Sequence, residues 1–468
     1  MSDVAARLER LPFCNVHRRL LFMGGLGYTF DAMDGAIMAF VLPVVSVLWS
    51  LSSVQTGVLG SATYIGFFFG AICSGTLGDL LGRRFVMMGA LGIYSAATAL
   101  SALAITWPQF FVLRIVAGFG SGAESVIIAP FLTEFVASRY RGRFTGALAG
   151  FFSFGFVGAA LLGNFIIPLA PAAWRFAVFA TAVPVVMLLW WRRSLPESPR
   201  WLETRGRSQE AEAAVSMIEA GVVAELGDIL APPAAPIDAS SRVTTGTLGA
   251  ALRGNLAALW SRPLRRVTAM SWLMWLSLTA SYYAFFTWIP SLLVKSGMTV
   301  TRSFGFSLLI YVAQIPGYYS AAWLIDRIGR KALIVSYMLL GGVSALGLAN
   351  AHDNLQVTVA GALLSFFMNG SYAGLYVYTP ELFPTEVRAT GCGIASAIGR
   401  LGAIASPIVV GYIYPIWGFA GVFGITTAVL LGGALSVLIL GIATSGRSLE
   451  AITAAELQAA GGRPAANR

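Results

Sequence analysis

Twelve apolar runs of about 20 residues each fill most of the chain between residues 20 and 442. They fall at about 20–48, 54–78, 85–105, 108–130, 144–168, 174–191, 267–294, 304–325, 332–351, 356–379, 391–414 and 418–442. A helix of that length crosses the roughly 30 Å hydrocarbon layer of a bilayer. Hydrocarbon offers no partner for a bare amide, so each run must close its own hydrogen bonds as a helix, and the short turns force antiparallel hairpins. Only 11% of the residues are charged and 57% are hydrophobic. A water-soluble domain of that composition would expose patches large enough to aggregate. The pattern predicts an all-α integral membrane protein with twelve transmembrane helices. It excludes an ordinary soluble enzyme, a disordered chain and a secreted disulfide module.

Lys and Arg set the orientation. With the N-terminus inside, the inside segments hold 26 of these 31 residues and the outside loops hold three, Arg175, Lys295 and Arg302. Arg114 and Arg400 fall within spans. That asymmetry predicts both termini in the cytoplasm. It also accounts for the net charge of +10 without a nucleic-acid partner. Residues 1–19 carry charges that run straight into a full-length span, so no signal peptide is expected. The scattered Cys14, Cys73 and Cys392 imply no disulfide framework. His17 and His352, with no Cys/His cluster, give no metal centre, and no cofactor is expected.

One long polar segment interrupts the spans, at 192–266, and includes Pro232-Pro233-Ala234-Ala235-Pro236. Within it, 207–226 reads as a short surface helix and the remainder as a linker. The chain thus divides into 1–191, a cytoplasmic linker 192–266, 267–442 and a cytoplasmic tail 443–468. An internal repeat relates the halves. Asp79 and Asp326, Arg83 and Arg330, Glu134 and Glu381, and Arg141 and Arg388 are each separated by 247 residues. Two parallel six-helix halves with one shared charge pattern follow.

Gly75-x-x-x-Asp79-x-x-Gly82-Arg83-Arg84 and its echo at Asp326 resemble the loop signature of the major facilitator superfamily. Pro196-Glu197-Ser198-Pro199-Arg200 and Pro380-Glu381-Leu382-Phe383-Pro384-Thr385-Glu386-Val387-Arg388 resemble its sugar-porter-like branch. Within that branch the likeness is to bacterial niacin (nicotinate) permeases. It rests on Phe30-Asp31-Ala32-Met33-Asp34, Ser281-Tyr282-Tyr283, Trp288-x-Pro290-Ser291, Ala313-Gln314-x-Pro316-Gly317-Tyr318 and Arg388-Ala389-Thr390-Gly391. Leu80 departs from the pattern, since the family usually has a basic residue there, and the central linker is longer than in niacin permeases. The resemblance implies a major facilitator fold in a bacterial inner membrane. It also implies that Asp79, Arg83, Glu134, Arg141, Asp326, Arg330, Glu381 and Arg388 form salt bridges closing the cytoplasmic side.

Four ionisable residues lie deep in spans. Helical rise places Asp31 and Arg400 roughly 18 Å from the cytoplasmic end, and Asp34 and Glu124 roughly 22 Å. Each costs at least about 2.5–3.5 kcal/mol there unless it faces a wet cavity or a partner. Asp31 and Asp34 share a helix face, and protonation relieves the repulsion between two such carboxylates. They suit a proton carrier or a structural ion pair, for example with Arg114. The resemblance pairs an acid of span one with an arginine of span four, here Asp34 and Arg114, as the coupling device. Glu124, in a glycine-rich stretch, suits either proton coupling or a packing-site hydrogen bond. Arg400 can fork onto a carboxylate, or neutralise Glu124 or Asp31. In related organic-anion carriers a span-eleven arginine contacts the anion. Tyr282, Tyr283, Phe286, Trp288, Gln314, Asn369, Tyr372 and Tyr376 offer stacking faces and donors for a flat pyridine ring, or pack against lipid and neighbours.

The expected function is proton-coupled import of a small aromatic monocarboxylate, nicotinate by resemblance, through a monomer that is not an enzyme. Alternatives on the same fold are benzoate, a hydroxybenzoate or a sugar. A membrane receptor or sensor would need a soluble signalling domain, which the linker does not supply.

Overall fold

The computed structural model describes residues 4–227, 248–384 and 387–444. Among the described residues all regular structure is helical. The chain divides into two compact units, Met1–Trp49 with Ala62–Ser241, and Ser50–Ser61 with Arg242–Arg468.

In the first unit the helices are α1 (Val4–Glu9), α2 (Asn15–Leu48), α3 (Ser53–Leu81, whose first turns count with the second unit), α4 (Arg83–Ser101), α5 (Trp107–Thr133), α6 (Ser138–Phe165), α7 (Ala173–Ala180), α8 (Met187–Ser194), α9 (Pro199–Thr204) and α10 (Ser208–Leu226). The second unit holds α11 (Leu248–Leu259), α12 (Arg265–Lys295), α13 (Val300–Val312), α14 (Gln314–Ile328), α15 (Arg330–Ala349), α16 (Asn354–Glu381) and α17 (Arg388–Leu440). Eight helical segments are long and apolar enough to cross a membrane. The hydroxyl- and aromatic-rich α4, α12 and α16 stand beside them, and α17 turns at Gly418 (φ 63°, ψ −160°) just after Pro415. Each of the twelve predicted spans therefore has a helical counterpart.

Two spans differ from the simple expectation. The sixth is broken by a 3₁₀ turn at Val183–Val186 carrying Pro184, which lacks the N–H a continuous helix needs. The eighth is split between α13 and α14 at Ala313, three residues before Pro316. The polar segment is more than a linker, because α9, α10 and α11 form within it. The expected surface helix at 207–226 is α10; residues 228–247 and most of the tail lie outside the described residues.

Small residues set the packing inside the first unit. A Cβ on Gly66 or Gly70 of α3 would lie 1.9 Å from the carbonyl oxygen of Ile115 or Phe119 on α5. One on Gly118 or Gly122 of α5 would lie 2.0 or 2.2 Å from the carbonyl oxygen of Thr63 or Phe67. The glycine-rich stretch around Glu124 is thus a backbone-to-backbone seam, the small-xxx-small contact that membrane helices use. The repeat glycines have another cause. Gly82 and Gly329 sit at φ 103° and 85°, at the sharp turns that begin α4 and α15. A side chain there would be strained.

Many large apolar side chains remain exposed, among them Val47 at 77%, Ile105 at 75% and Phe176 at 71%. In water such a surface is a liability, whereas in hydrocarbon it is solvated. At the opposite extreme, α1 is tucked in. Val4, Leu8 and Leu11 are fully buried in a cluster with Ala211, Val215, Ile218 and Val222 of α10. Arg7 bonds Glu212 and Glu219, Arg10 bonds Glu219 at 2.5 Å, and Glu9 accepts from Ser138.

Candidate functional site

The first unit buries its ionisable residues together. Asp34 on α2 and Arg114 on α5 are both fully enclosed. The guanidinium donates to Asp34 Oδ1 at 2.9 Å, to Oδ2 at 2.8 Å and to the Asp34 carbonyl at 2.9 Å. Thr63 Oγ1 accepts from Arg114 Nη2 at 3.1 Å, while Thr98 and Thr181 each donate to Asp34 Oδ1 at 3.0 Å. Every part of this two-pronged pair is satisfied, which is what makes a buried charge pair tolerable.

One turn away, Asp31 is held differently. Its Oδ2 accepts from Ser125 at 2.6 Å, but its Oδ1 has no hydrogen-bond partner among the described residues. Glu124 is fully buried and neither of its carboxyl oxygens has a partner there. Gly27 of α2 makes room for it, since a Cβ at that position would lie 2.9 Å from Glu124 Oε1 and 3.2 Å from Trp191. Tyr94 Oη and Trp191 Nε1, two further buried polar atoms of this unit, are also without partners among the described residues. An ionised carboxylate with no partner in such a place costs several kcal/mol, so this is a poor site for a purely structural acid.

In the second unit the aromatic residues converge. Tyr282 packs on Phe286, Tyr372 and Tyr283 with ring centroids 4.4, 5.1 and 5.3 Å away. Tyr376 stacks on Tyr372 at 6.2 Å and meets Trp275 edge-on at 5.5 Å. Polar tips fix the set, with Tyr282 Oη donating to Gln314 Oε1 at 3.1 Å and Tyr372 Oη to Thr279 Oγ1 at 2.9 Å. Gln314 is fully buried, yet its Nε2 has no acceptor among the described residues. The half-buried Arg400 of α17 lies close enough to Tyr372 and Tyr376 for its charge to act on both phenols. Seven aromatic or amide side chains thus meet on α12, α14 and α16, with the Arg400 charge of α17 near Tyr372 and Tyr376.

Two predicted residues are engaged elsewhere. Trp288 Nε1 donates to the Pro407 carbonyl at 3.0 Å, and Asn369 Nδ2 donates to the Ser365 carbonyl at 3.1 Å within its own helix. Sequence reasoning missed Thr63, Thr98, Thr181 and Thr279, which hold the charged and phenolic groups. A threonine in an apolar span carries no signal that separates it from a helix-bonded hydroxyl.

The repeated charges take the same geometry in each unit. Arg83 Nε donates to Glu134 at 3.3 Å, and Arg330 Nε to Glu381 at 3.1 Å, with Asp326 3.5 Å from Arg330. Arg141 Nε donates to the Thr133 and Val136 carbonyls, and Arg388 Nε to that of Phe383 at 3.2 Å. The Asp79 side chain lies outside the described residues.

Residues 22–455 match the sugar (and other) transporter family. The niacin transporter NiaP of Acinetobacter baylyi is 38% identical over 453 residues, covering 96% of this chain and 99% of that protein. The 4-hydroxybenzoate transporter PcaK of Pseudomonas putida is 27% identical over 405 residues, 86% of this chain and 87% of that one. Among solved structures, the xylose transporter XylE from E. coli in a partially occluded inward-open conformation aligns with a TM-score of 0.71 at 16% identity, covering 90% of this chain and 98% of that one. A helical membrane architecture, a family match over nearly the whole length and relatives covered end to end lead to one assignment: the chain belongs to the sugar (and other) transporter family of the major facilitator superfamily, and is a multi-pass membrane transporter of small molecules rather than an enzyme.

Proposed function

We propose that this transporter imports nicotinate, a small aromatic monocarboxylate, by proton-coupled alternating access across a bacterial cytoplasmic membrane, with both termini inside. The observation that carries the reading is the aromatic cluster of the second unit, with the unused amide donor of Gln314 and the Arg400 charge beside it. A pyridine carboxylate needs that combination: ring faces to stack on, a donor for the ring nitrogen and a planar cation for the carboxylate. The likeness to a niacin transporter supports the same substrate. Asp34 with Arg114 is the coupling pair, and Asp31 and Glu124 are the nearby carboxyls able to take up and pass a proton. The charge clusters at Arg83–Glu134 and Arg330–Glu381, with Asp79, Arg141, Asp326 and Arg388, act as breakable latches between conformers that differ by only a few kcal/mol.

A second reading, 4-hydroxybenzoate, is favoured by the likeness to PcaK. It keeps the carboxylate and lacks the ring nitrogen. The test is a binding titration of nicotinate, nicotinamide, benzoate and 4-hydroxybenzoate to the parent and to Arg400→Ala. Nicotinate should bind best and lose about 2–5 kcal/mol in the variant, because a buried carboxylate is left unpaired. The neutral amide should bind poorly and change little. Tighter binding of 4-hydroxybenzoate than of nicotinate selects the second reading. Equal losses for acid and amide would show that Arg400 shapes the fold and does not read the carboxylate.

A further inference from the structure

Apart from both sites, a cavity of about 640 Å³ opens in the first unit between the start of α4 and α10, with α9 beneath it. Its walls include Arg84, Phe85, Arg192, Glu197, Trp201 and Met217. The acids there are already engaged. Glu197 accepts the backbone N–H of Arg84 at 3.1 and 3.2 Å and that of Ser198 at 2.9 Å, while Glu210 is paired with Arg207 at 2.7 Å. Of the arginines lining the cavity, Arg207 is taken up by that pair, while Arg84 and Arg192 keep donors to spare. Arg84 spends one terminal nitrogen on the Arg192 carbonyl at 2.6 Å, but its buried Nε has no partner among the described residues. The exposed Arg192 guanidinium likewise has no hydrogen bond or ion pair among them. Around this polar pair the rim is apolar and open, with Phe85 at 64%, Leu81 at 52% and Met217 at 52% exposure.

The position in the chain fixes the level of the cavity. Arg84 is the second residue of α4 and Arg192 lies in the last turn of α8, so both stand where a membrane span ends. Hydrocarbon gives way to headgroups there, and the planar guanidinium fork matches the oxygens of a phosphate diester. Basic pockets between membrane helices at that level are suited to anionic headgroups.

We propose that this cavity holds the phosphate of an anionic phospholipid between Arg84 and Arg192, with its acyl chains running over Leu81 and Phe85. The site is independent of the transported substrate and of the coupling pair. The experiment is native mass spectrometry of the full chain in detergent with equimolar phosphatidylglycerol and phosphatidylcholine. Each arginine near an anionic headgroup contributes roughly fivefold, so the parent should retain phosphatidylglycerol with roughly 30-fold preference. Arg84→Gln combined with Arg192→Gln should abolish the preference, because both guanidiniums are gone, while the Glu197 contact uses only the Arg84 backbone N–H and survives. Arg192→Gln alone, at an exposed side chain, should lower it by roughly fivefold. Excess sn-glycerol 3-phosphate should leave the lipid bound. No preference in the parent, or a preference unchanged by either variant, would overturn the proposal. Displacement by glycerol phosphate would do the same, since it would identify a site for soluble phosphate esters.

Discussion

Replacing Asp34 by Asn should destabilise the protein more than any other conservative change in its first unit. The amide keeps the shape and can still accept from Thr98 and Thr181, but Arg114 is left with no counter-charge at a position that is fully enclosed. Breaking a buried, fully hydrogen-bonded pair costs about 3–5 kcal/mol, most of it the desolvation of the orphaned charge. At about 1 °C per kcal/mol for a chain of this size, the melting temperature should fall by roughly 3–5 °C. The double variant Asp34→Asn with Arg114→Met removes the orphan as well and should recover at least half of that loss. Thermal unfolding of the three purified proteins in one detergent measures it. A double variant no more stable than Asp34→Asn alone, or an Asp34→Asn protein as stable as the parent, would refute the view that the pair is mutually required.

Gln314→Leu removes the unused amide donor, so nicotinate affinity should drop by about 1–1.5 kcal/mol while benzoate, which has no ring nitrogen, is affected less; paired titrations decide it, and equal losses contradict the donor role. Reporters fused after Arg468 or inserted near Pro233 should both read as cytoplasmic, and a signal from the opposite side of the membrane at either would overturn the orientation. The docking of α1 should withstand mild acid. Burial opposes ionisation of Glu219, but the hydrogen bonds and charges of Arg7 and Arg10 outweigh it and hold the carboxyl below its ordinary range. A lowered folded value adds stability above the unfolded one, near pH 4.3, and loses it only as pH falls through the folded value. Hydrogen exchange of residues 4–9, corrected for intrinsic rates, should therefore show protection from pH 7 to about pH 5. Release within that interval would contradict the assignment.

The twelve spans were legible because hydrocarbon demands an apolar run of fixed length, a signal spread over 20 residues at a time. The breaks at Pro184 and Ala313 were not, because a proline in a span can kink, break or simply be absorbed by neighbouring helices. Asp31, Asp34, Glu124 and Arg400 stood out on depth alone, since each is expensive where it lies, and Arg114 stood out as a basic residue within a span. Their settings could not be read. Among the described residues Asp34 is satisfied on every side, Asp31 on one oxygen and Glu124 on neither, and the difference depends on threonines and serines from other helices. The six-residue α1 was invisible for the opposite reason: it is too short to show a period, and its buried Val4 and Leu8 gain their meaning only against α10.

The central claim is that protons drive an aromatic acid through this chain. It is tested most directly by uptake of radiolabelled nicotinate into proteoliposomes of the purified protein, with and without an imposed inward proton gradient. The gradient should raise internal nicotinate above its external concentration, a protonophore should abolish that rise, and Asp34→Asn should lose it while still exchanging labelled for unlabelled substrate. Equal uptake with and without the gradient, or undiminished accumulation by Asp34→Asn, would contradict the account.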